Sequence, residues 1–237
     1  MGIVHSALRL LNKPTQRNHL LRLLRDPTQG KYVFRWLESL EVDYFLNKRQ
    51  PWLVFEAIDF LKSLPLESRR VFEYGSGGST LFWLSRKMKC VSIEHDPEWY
   101  ESVRSRLARS MEIDYRLVQP EGPNPEGEFD ISDPTLYLSG DVAFQRYSFK
   151  NYAKQIDEFP PGYFDVILVD GRARPACIMH SATRVKMNGL LILDNADYSY
   201  YTAKTHQYLH GFSCSSFYGT GPATYQMWRT DIYVREK

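Results

Sequence analysis

The chain has 237 residues, a formal net charge of +2, 43% hydrophobic and 24% charged residues, a composition that excludes a disordered chain and suits one α/β domain with additions. It makes no general case for a nucleic-acid partner, which usually shows as a much more basic domain, and no run of eighteen apolar residues predicts a membrane span. Three widely spaced cysteines, Cys90, Cys177 and Cys214, read as free thiols of a reducing, cytoplasmic compartment.

Residues 1–48 read as a basic helical arm. Arg9, Lys13, Arg17, Arg22, Arg25, Lys31 and Arg35 face only Asp26 before Glu38, and Leu8, Leu10, Leu11, Leu20, Leu21, Leu23 and Leu24 supply apolar positions. Pro14 is expected to divide the stretch into two short helical pieces. The arm should pack on the domain or on a second subunit, as in a homodimer, with contact to an anionic membrane surface as the weaker reading. Met1-Gly2 with Ser6 also matches a short myristoylation pattern, and an Arg-rich, acid-poor start fits a transit segment.

Residues 49–237 read as the main domain. Pro51-Trp52 opens a helix through Phe55, Ile58, Phe60 and Leu61 to Leu64. Val71 to Gly75 follows as a strand running into the glycine turn Gly75-Ser76-Gly77-Gly78 and a helix from Ser79. Glycines at 75, 77 and 78 permit positive φ and the close approach of a ligand, and Glu73 puts a carboxylate near the strand's carboxyl end. A dinucleotide fingerprint would want a small glycine or alanine where Thr80 stands. The turn therefore favours S-adenosylmethionine over NAD, since an acid two residues before the first glycine suits an ammonium group better than two phosphates. The cofactor-binding set is Glu73, Gly75, Ser76, Gly77, Gly78, Ser79 and Thr80.

The second strand, residues 90–95, ends in Glu94-His95-Asp96 about twenty positions past the glycines, the usual separation for a carboxylate that accepts both ribose hydroxyls. Glu94 takes that role and His95 joins the cofactor set, although His95 also reads as a strand-end packing residue. Asp96-Pro97 reads as N-cap and N1 of a helix presenting Trp99, Val103 and Leu107 on one face. A third strand alternates Met111, Ile113, Tyr115 and Leu117 with Glu112, Asp114 and Arg116. Residues 120–160 form an acidic, proline-rich insertion, placed where loops cover ligands in doubly wound folds or else a plain surface excursion; Tyr147, Phe149 and Tyr152 predict that part of it packs. Strand four, Phe164 to Asp170, is nearly continuous apolar sequence, as a central parallel strand requires. A helix over 175–187 closed by Asn188-Gly189, a short fifth strand over 190–193, and two final strands within 212–218 and 226–234 complete the series.

The succession VFEYGSGGST, VSIEHD, FDVILVDG and GLLILDN resembles the first, second, fourth and fifth strands of class I S-adenosylmethionine-dependent methyltransferases, over roughly residues 50 to 230. The resemblance implies a Rossmann-like doubly wound, mostly parallel seven-stranded sheet with an antiparallel carboxyl-terminal strand. It also implies methyl transfer to a small-molecule acceptor, an oxygen first among the candidates.

Asp170 ends strand four, and Asp194-Asn195 ends strand five, so three oxygen-bearing side chains emerge at neighbouring strand ends. Two carboxylates and an amide oxygen, completed by water and substrate, suit Mg²⁺. Acids that merely cap helices or form a turn read equally well there. The set resembles that of magnesium-dependent catechol and caffeoyl-coenzyme A O-methyltransferases, which implies Asp170, Asp194 and Asn195 as ligands, with Asp170 and Asp194 in catalysis. Those enzymes place a lysine base three residues after the first aspartate; Ala173 stands here. Arg172 and Arg174 cannot serve as bases at neutral pH, but their forks suit an anionic acceptor group, Arg172 being also counted with the catalytic residues. Either could pair with the acidic insertion instead, Arg174 ahead of Arg172. Trp52, Tyr198 and Tyr218 complete the substrate set, with Tyr200 and Tyr201 in the same aromatic stretch. The alternatives to oxygen methylation are a metal-independent methylation of a carboxylate or nitrogen and a non-catalytic S-adenosylmethionine-binding module.

Overall fold

The computed structural model describes residues 13–108, 111–123 and 126–237. The myristoylation and transit patterns, Arg9, Leu8, Leu10 and Leu11 lie outside the described residues. Pro14 begins a helix, the second of the two pieces expected on either side of it; the first lies outside the described residues. It occupies the first position of α1 (Pro14–Arg25), where its missing N–H has no intrahelical partner to lose. Two shorter helices, α2 (Val33–Glu38) and α3 (Tyr44–Lys48), lead to α4 (Phe55–Ser63).

Alternation of strand and helix then sets the architecture: β1 (Arg70–Tyr74), α5 (Gly78–Ser85), β2 (Lys89–Glu94), α6 (Pro97–Arg104), β3 (Ile113–Leu117), α7 (Lys150–Lys154), β4 (Phe164–Val169), α8 (Arg174–Ser181) and β5 (Val185–Leu193). The chain ends in β6 (Phe212–Gly219) and β7 (Trp228–Arg235). One seven-stranded sheet runs in the order β3-β2-β1-β4-β5-β7-β6, parallel from β3 to β5. β7 inserts antiparallel against β5, and β6 pairs antiparallel with β7 at the edge.

Period-two alternation along the central strands divides the core. Val71, Val166, Leu168 and Ile192 face one hydrophobic cluster, while Phe72, Tyr74, Ile167, Val169 and Leu193 face the other. This is the covered-on-both-faces arrangement that makes parallel strands read as unbroken apolar runs. The insertion contributes to the second cluster through the fully buried Phe149, Tyr152 and Ile156. It therefore holds its own place on the sheet, each such side chain contributing about 2–3 kcal/mol by burial.

The amino-terminal helices share the first cluster: Leu23, Tyr32, Val33, Trp36 and Leu37 pack with Phe55, Trp83 and Val71. They also hold the β6–β7 turn. Trp36 Nε1 donates to the Thr224 carbonyl at 2.7 Å, Gln16 Nε2 to the Tyr225 hydroxyl at 2.7 Å, and the Thr220 N–H donates to Gln29 Oε1 at 2.9 Å.

Asn188-Gly189 does not cap a helix. α8 ends at Ser181, and β5 begins at Val185, whose pairing with Phe164 commits the chain to the sheet. Between that pair and Val166–Leu190 the register shifts, and Asn188, at φ 60°, lies in the resulting bulge. The turn chemistry of Asn-Gly is real, but it bends a strand.

Candidate functional site

A cleft of about 590 Å³ opens along the carboxyl ends of the parallel strands, between the glycine turn after β1 and the loops after β4 and β5. Doubly wound sheets present their ligand sites on this edge. Gly75, at φ +88°, makes the turn possible: a Cβ on it would stand 3.0 Å from Gly171 Cα and N in the neighbouring β4 loop. Gly78 is required for a different reason, since its Cβ would meet the Gln50 and Phe45 carbonyls of the α3 segment at 2.1 and 2.6 Å. Gly77 is extended, at φ 161°, so positive φ is confined to Gly75 in this turn.

Glu94 closes the floor. Its Oε2 accepts from the Ser76 N–H at 3.0 Å and the Ser76 hydroxyl at 2.9 Å, and its Oε1 accepts from the N–H groups of His95 and Asp96 at 2.7 and 2.9 Å. Burial opposes its ionisation, but these bonds and the His95 ring outweigh burial, and its pKa lies below the ordinary value. The carboxylate at the end of β2 is thus tied to the glycine turn at the end of β1, and both line the cleft.

His95 extends this arrangement toward β4. Arg172 Nε donates to His95 Nε2 at 3.1 Å, which makes Nε2 the acceptor and leaves Nδ1, 2.8 Å from Glu94 Oε1, to carry the proton. Arg172 Nη1 pairs with Asp141 of the insertion at 2.7 Å, and its guanidinium lies 5.4 Å from the centroid of Phe144. The partner of the acidic insertion is therefore Arg172, not Arg174.

Arg174 is buried and turned back over β4 and β5 by Ala173, which sits at φ 47° ahead of α8. Its Nε donates to the Gly171 carbonyl at 3.1 Å, and Nη2 to the Asp170 carbonyl and Oδ1 at 3.1 and 3.0 Å. Nη1 donates to Asn195 Oδ1 at 2.9 Å and to the Asp194 carbonyl. A guanidinium has five N–H groups, and these five bonds engage them all. Asp194 is held separately, accepting from Trp228 Nε1 at 2.9 Å and Thr230 Oγ1 at 2.6 Å. Burial and the neighbouring Asp194 carboxylate push Asp170 well above the usual carboxylate range, and burial lifts Asp194 to about 6.

These contacts do not fit a divalent ion. Asp170 Oδ1 and Asn195 Oδ1 already accept from a resident cation, and Asp194 Oδ1 is committed to Trp228 and Thr230 of β7. Among the described residues no group of three or more His, Cys, Asp or Glu side chains is placed to hold a metal.

Glu73 does not reach the cleft. It is fully buried under α5, accepting from the Thr80 hydroxyl, from Ser92 Oγ at 2.7 Å and from Trp83 Nε1 at 3.3 Å, and desolvation raises its pKa to about 7. Period two explains the displacement: Tyr74 faces one side of the sheet and Glu73 the other. Thr80 is likewise internal, its hydroxyl also accepting from the Gly77 N–H at 3.0 Å. Gly75 to Ser79, Glu94, His95, Asp170, Arg172, Arg174, Asp194, Asn195 and Trp52 all line the cleft. Tyr198 lines a second, smaller cavity of about 240 Å³ with Tyr200, Tyr201 and Asp141, bordered like the cleft by Gly171, Arg172, Arg174 and Asn195. Tyr218 projects from edge strand β6 and lines neither.

Sequence reasoning missed Phe45, Trp99, Thr224, Gln226 and Trp228 as wall residues. Trp99 shows its signal only in three dimensions: its indole N–H donates to the Ser76 carbonyl at 2.8 Å, which turns a residue assigned to helix packing toward the cleft. Phe45 stacks on Trp52 with ring centroids 4.5 Å apart.

No protein-family model matches the chain, and no curated protein matches it in sequence. Solved structures do resemble it. Cofactor-bound Rv0187 from MTB is 17% identical, with a TM-score of 0.54 over 90% of this chain and 99% of that one. The O-methyltransferase TomG from Streptomyces achromogenes, involved in tomaymycin synthesis and solved in complex with SAM, is 19% identical, with a TM-score of 0.50 over 86% of this chain and 98% of that one. The chain has the Rossmann-like methyltransferase fold, a mostly parallel seven-stranded sheet with antiparallel carboxyl-terminal strands.

Proposed function

We propose that the protein transfers a methyl group from S-adenosylmethionine to an oxygen of a small-molecule acceptor. The observation that carries this reading is the union of Glu94 with the glycine turn through Ser76, open to a cleft walled by Trp99, Trp52 and Phe45. A nucleoside with a vicinal diol finds there a carboxylate acceptor, backbone groups that no Cβ blocks, and aromatic faces. Glu94 would hold the ribose hydroxyls, and Gly75 to Ser79 would border the amino-acid portion. When bound, the sulfonium supplies an electrophilic methyl group.

The chain's own residues account for the rest. Arg172 is held by His95 and Asp141, which leaves three of its N–H groups free among the described residues to orient an acceptor anion or hydroxyl. Asp170 borders both the cleft and Arg172, and its Oδ2, which the Arg174 bond does not use, would take the proton of an acceptor hydroxyl. Tyr198, Tyr200 and Tyr201 offer an aromatic, hydroxyl-bearing wall for the acceptor in the adjoining cavity. The free donors of Arg172 favour a second reading, methylation of a carboxylate, which needs no base.

Equilibrium dialysis against S-adenosylhomocysteine and NADH tests the cofactor assignment. The protein should retain the first and not the second; retention of NADH alone would reverse it.

A further inference from the structure

The strand-end trio Asp170, Asp194 and Asn195 has the composition of a divalent-metal site, yet a cation of the protein's own already stands in it. We propose that the Arg174 guanidinium is a built-in counter-ion that occupies this acidic pocket in place of a metal, so that the acceptor site works without one and Arg174 itself does not touch the acceptor. Three features lead there. All five N–H groups of Arg174 are engaged, two by the side chains of Asp170 and Asn195 and three by the carbonyls of Asp170, Gly171 and Asp194. The residue is 8% exposed, so the charge is fixed in place and not borrowed from solvent. The chain accepts a left-handed Ala173 immediately before it, a conformation costly for a non-glycine residue, and this turn is what brings Arg174 back over the strand ends.

The consequence concerns the acceptor. A metal would hold it by two neighbouring oxygens, whereas a closed guanidinium holds none; orientation passes to Arg172, the neighbouring fork with free N–H groups. An acceptor with one reacting oxygen beside an anionic or polar group suits this site, and a chelating pair of hydroxyls is not required. Arg174 is thus a positioning residue.

Titration of Mn²⁺ followed by electron paramagnetic resonance tests the inference without reference to turnover. The wild-type chain should leave the free Mn²⁺ signal unchanged into the millimolar range. Arg174→Ala, and Arg174→Met as a variant that preserves side-chain bulk, should each gain at least tenfold in apparent Mn²⁺ affinity, a gain lost again when Asp170→Asn is added. Unfolding of both variants, with wild type blind to Mn²⁺, would still agree with a counter-ion that the buried Asp194 and half-buried Asp170 require. Binding of Mn²⁺ by the wild type through Asp170, or a folded Arg174 variant with no gain, would overturn the inference. A failure here leaves the cofactor assignment intact, because S-adenosylhomocysteine binding is measured separately.

Discussion

The two acidic clusters at the carboxyl edge of the sheet differ in who neutralises them. At the ends of β1 and β2, a single carboxylate, Glu94, is stabilised by backbone N–H groups and the Ser76 hydroxyl, and its pKa is depressed. At the ends of β4 and β5, two carboxylates are held by Arg174, Trp228 and Thr230 and both pKa values are raised. Backbone N–H groups, the Ser76 hydroxyl and the His95 ring keep Glu94 charged at the cleft wall, though it is only 3% exposed, whereas a buried guanidinium engages Asp170 Oδ1 and Asn195 at the other cluster. Similar strand-end acids thus become, in one place, a candidate ligand group and, in the other, an internal ion pair.

The sharpest way to break that contrast is Asp194→Ala. It removes a buried charge from beside Arg174 and leaves the Trp228 and Thr230 donors without their acceptor, so urea unfolding should show a loss of about 3–5 kcal/mol. A loss below about 1 kcal/mol would mean the cluster is not closed.

Next comes Glu73, the carboxyl on the far side of β1. Its folded pKa of about 7 lies above the ordinary 4.5, so the folded state binds the extra proton, and stability falls as pH rises through that window. Wild type should lose about 3 kcal/mol relative to Glu73→Gln between pH 5 and pH 8. Parallel stability curves would place Glu73 in contact with solvent or a cation.

Glu94→Ala should weaken S-adenosylhomocysteine binding by about 1.5–3 kcal/mol, read on the folded variant because it also strands the Ser76, His95 and Asp96 donors. Unchanged affinity would remove Glu94 from the site. The smallest effect belongs to Asp141→Ala, which breaks a half-exposed pair with Arg172 and should alter stability by less than about 1 kcal/mol. A larger loss would make the insertion's hold on Arg172 a structural support of the whole edge.

The glycine turn, Glu94 and the order of strands were legible because they are local: a strand's apolar run, its terminal acid and the glycine that follows are contiguous in sequence. Period two could have moved Glu73 away from the cleft, since Tyr74 and Glu73 must point to opposite faces. Arg174 was not legible as a counter-ion. Its five acceptors are two side chains and three carbonyls from the ends of two strands, and the turn that aims it depends on Ala173 taking a left-handed conformation that alanine rarely adopts.

The most direct measurement is calorimetric titration of S-adenosylhomocysteine into the purified, folded wild-type protein in the presence of EDTA. Saturable heat of binding at one site per chain, undiminished by the chelator, is the predicted result. Absence of binding heat, with NADH or no nucleoside recognised, would contradict the assignment of the Glu94 cleft.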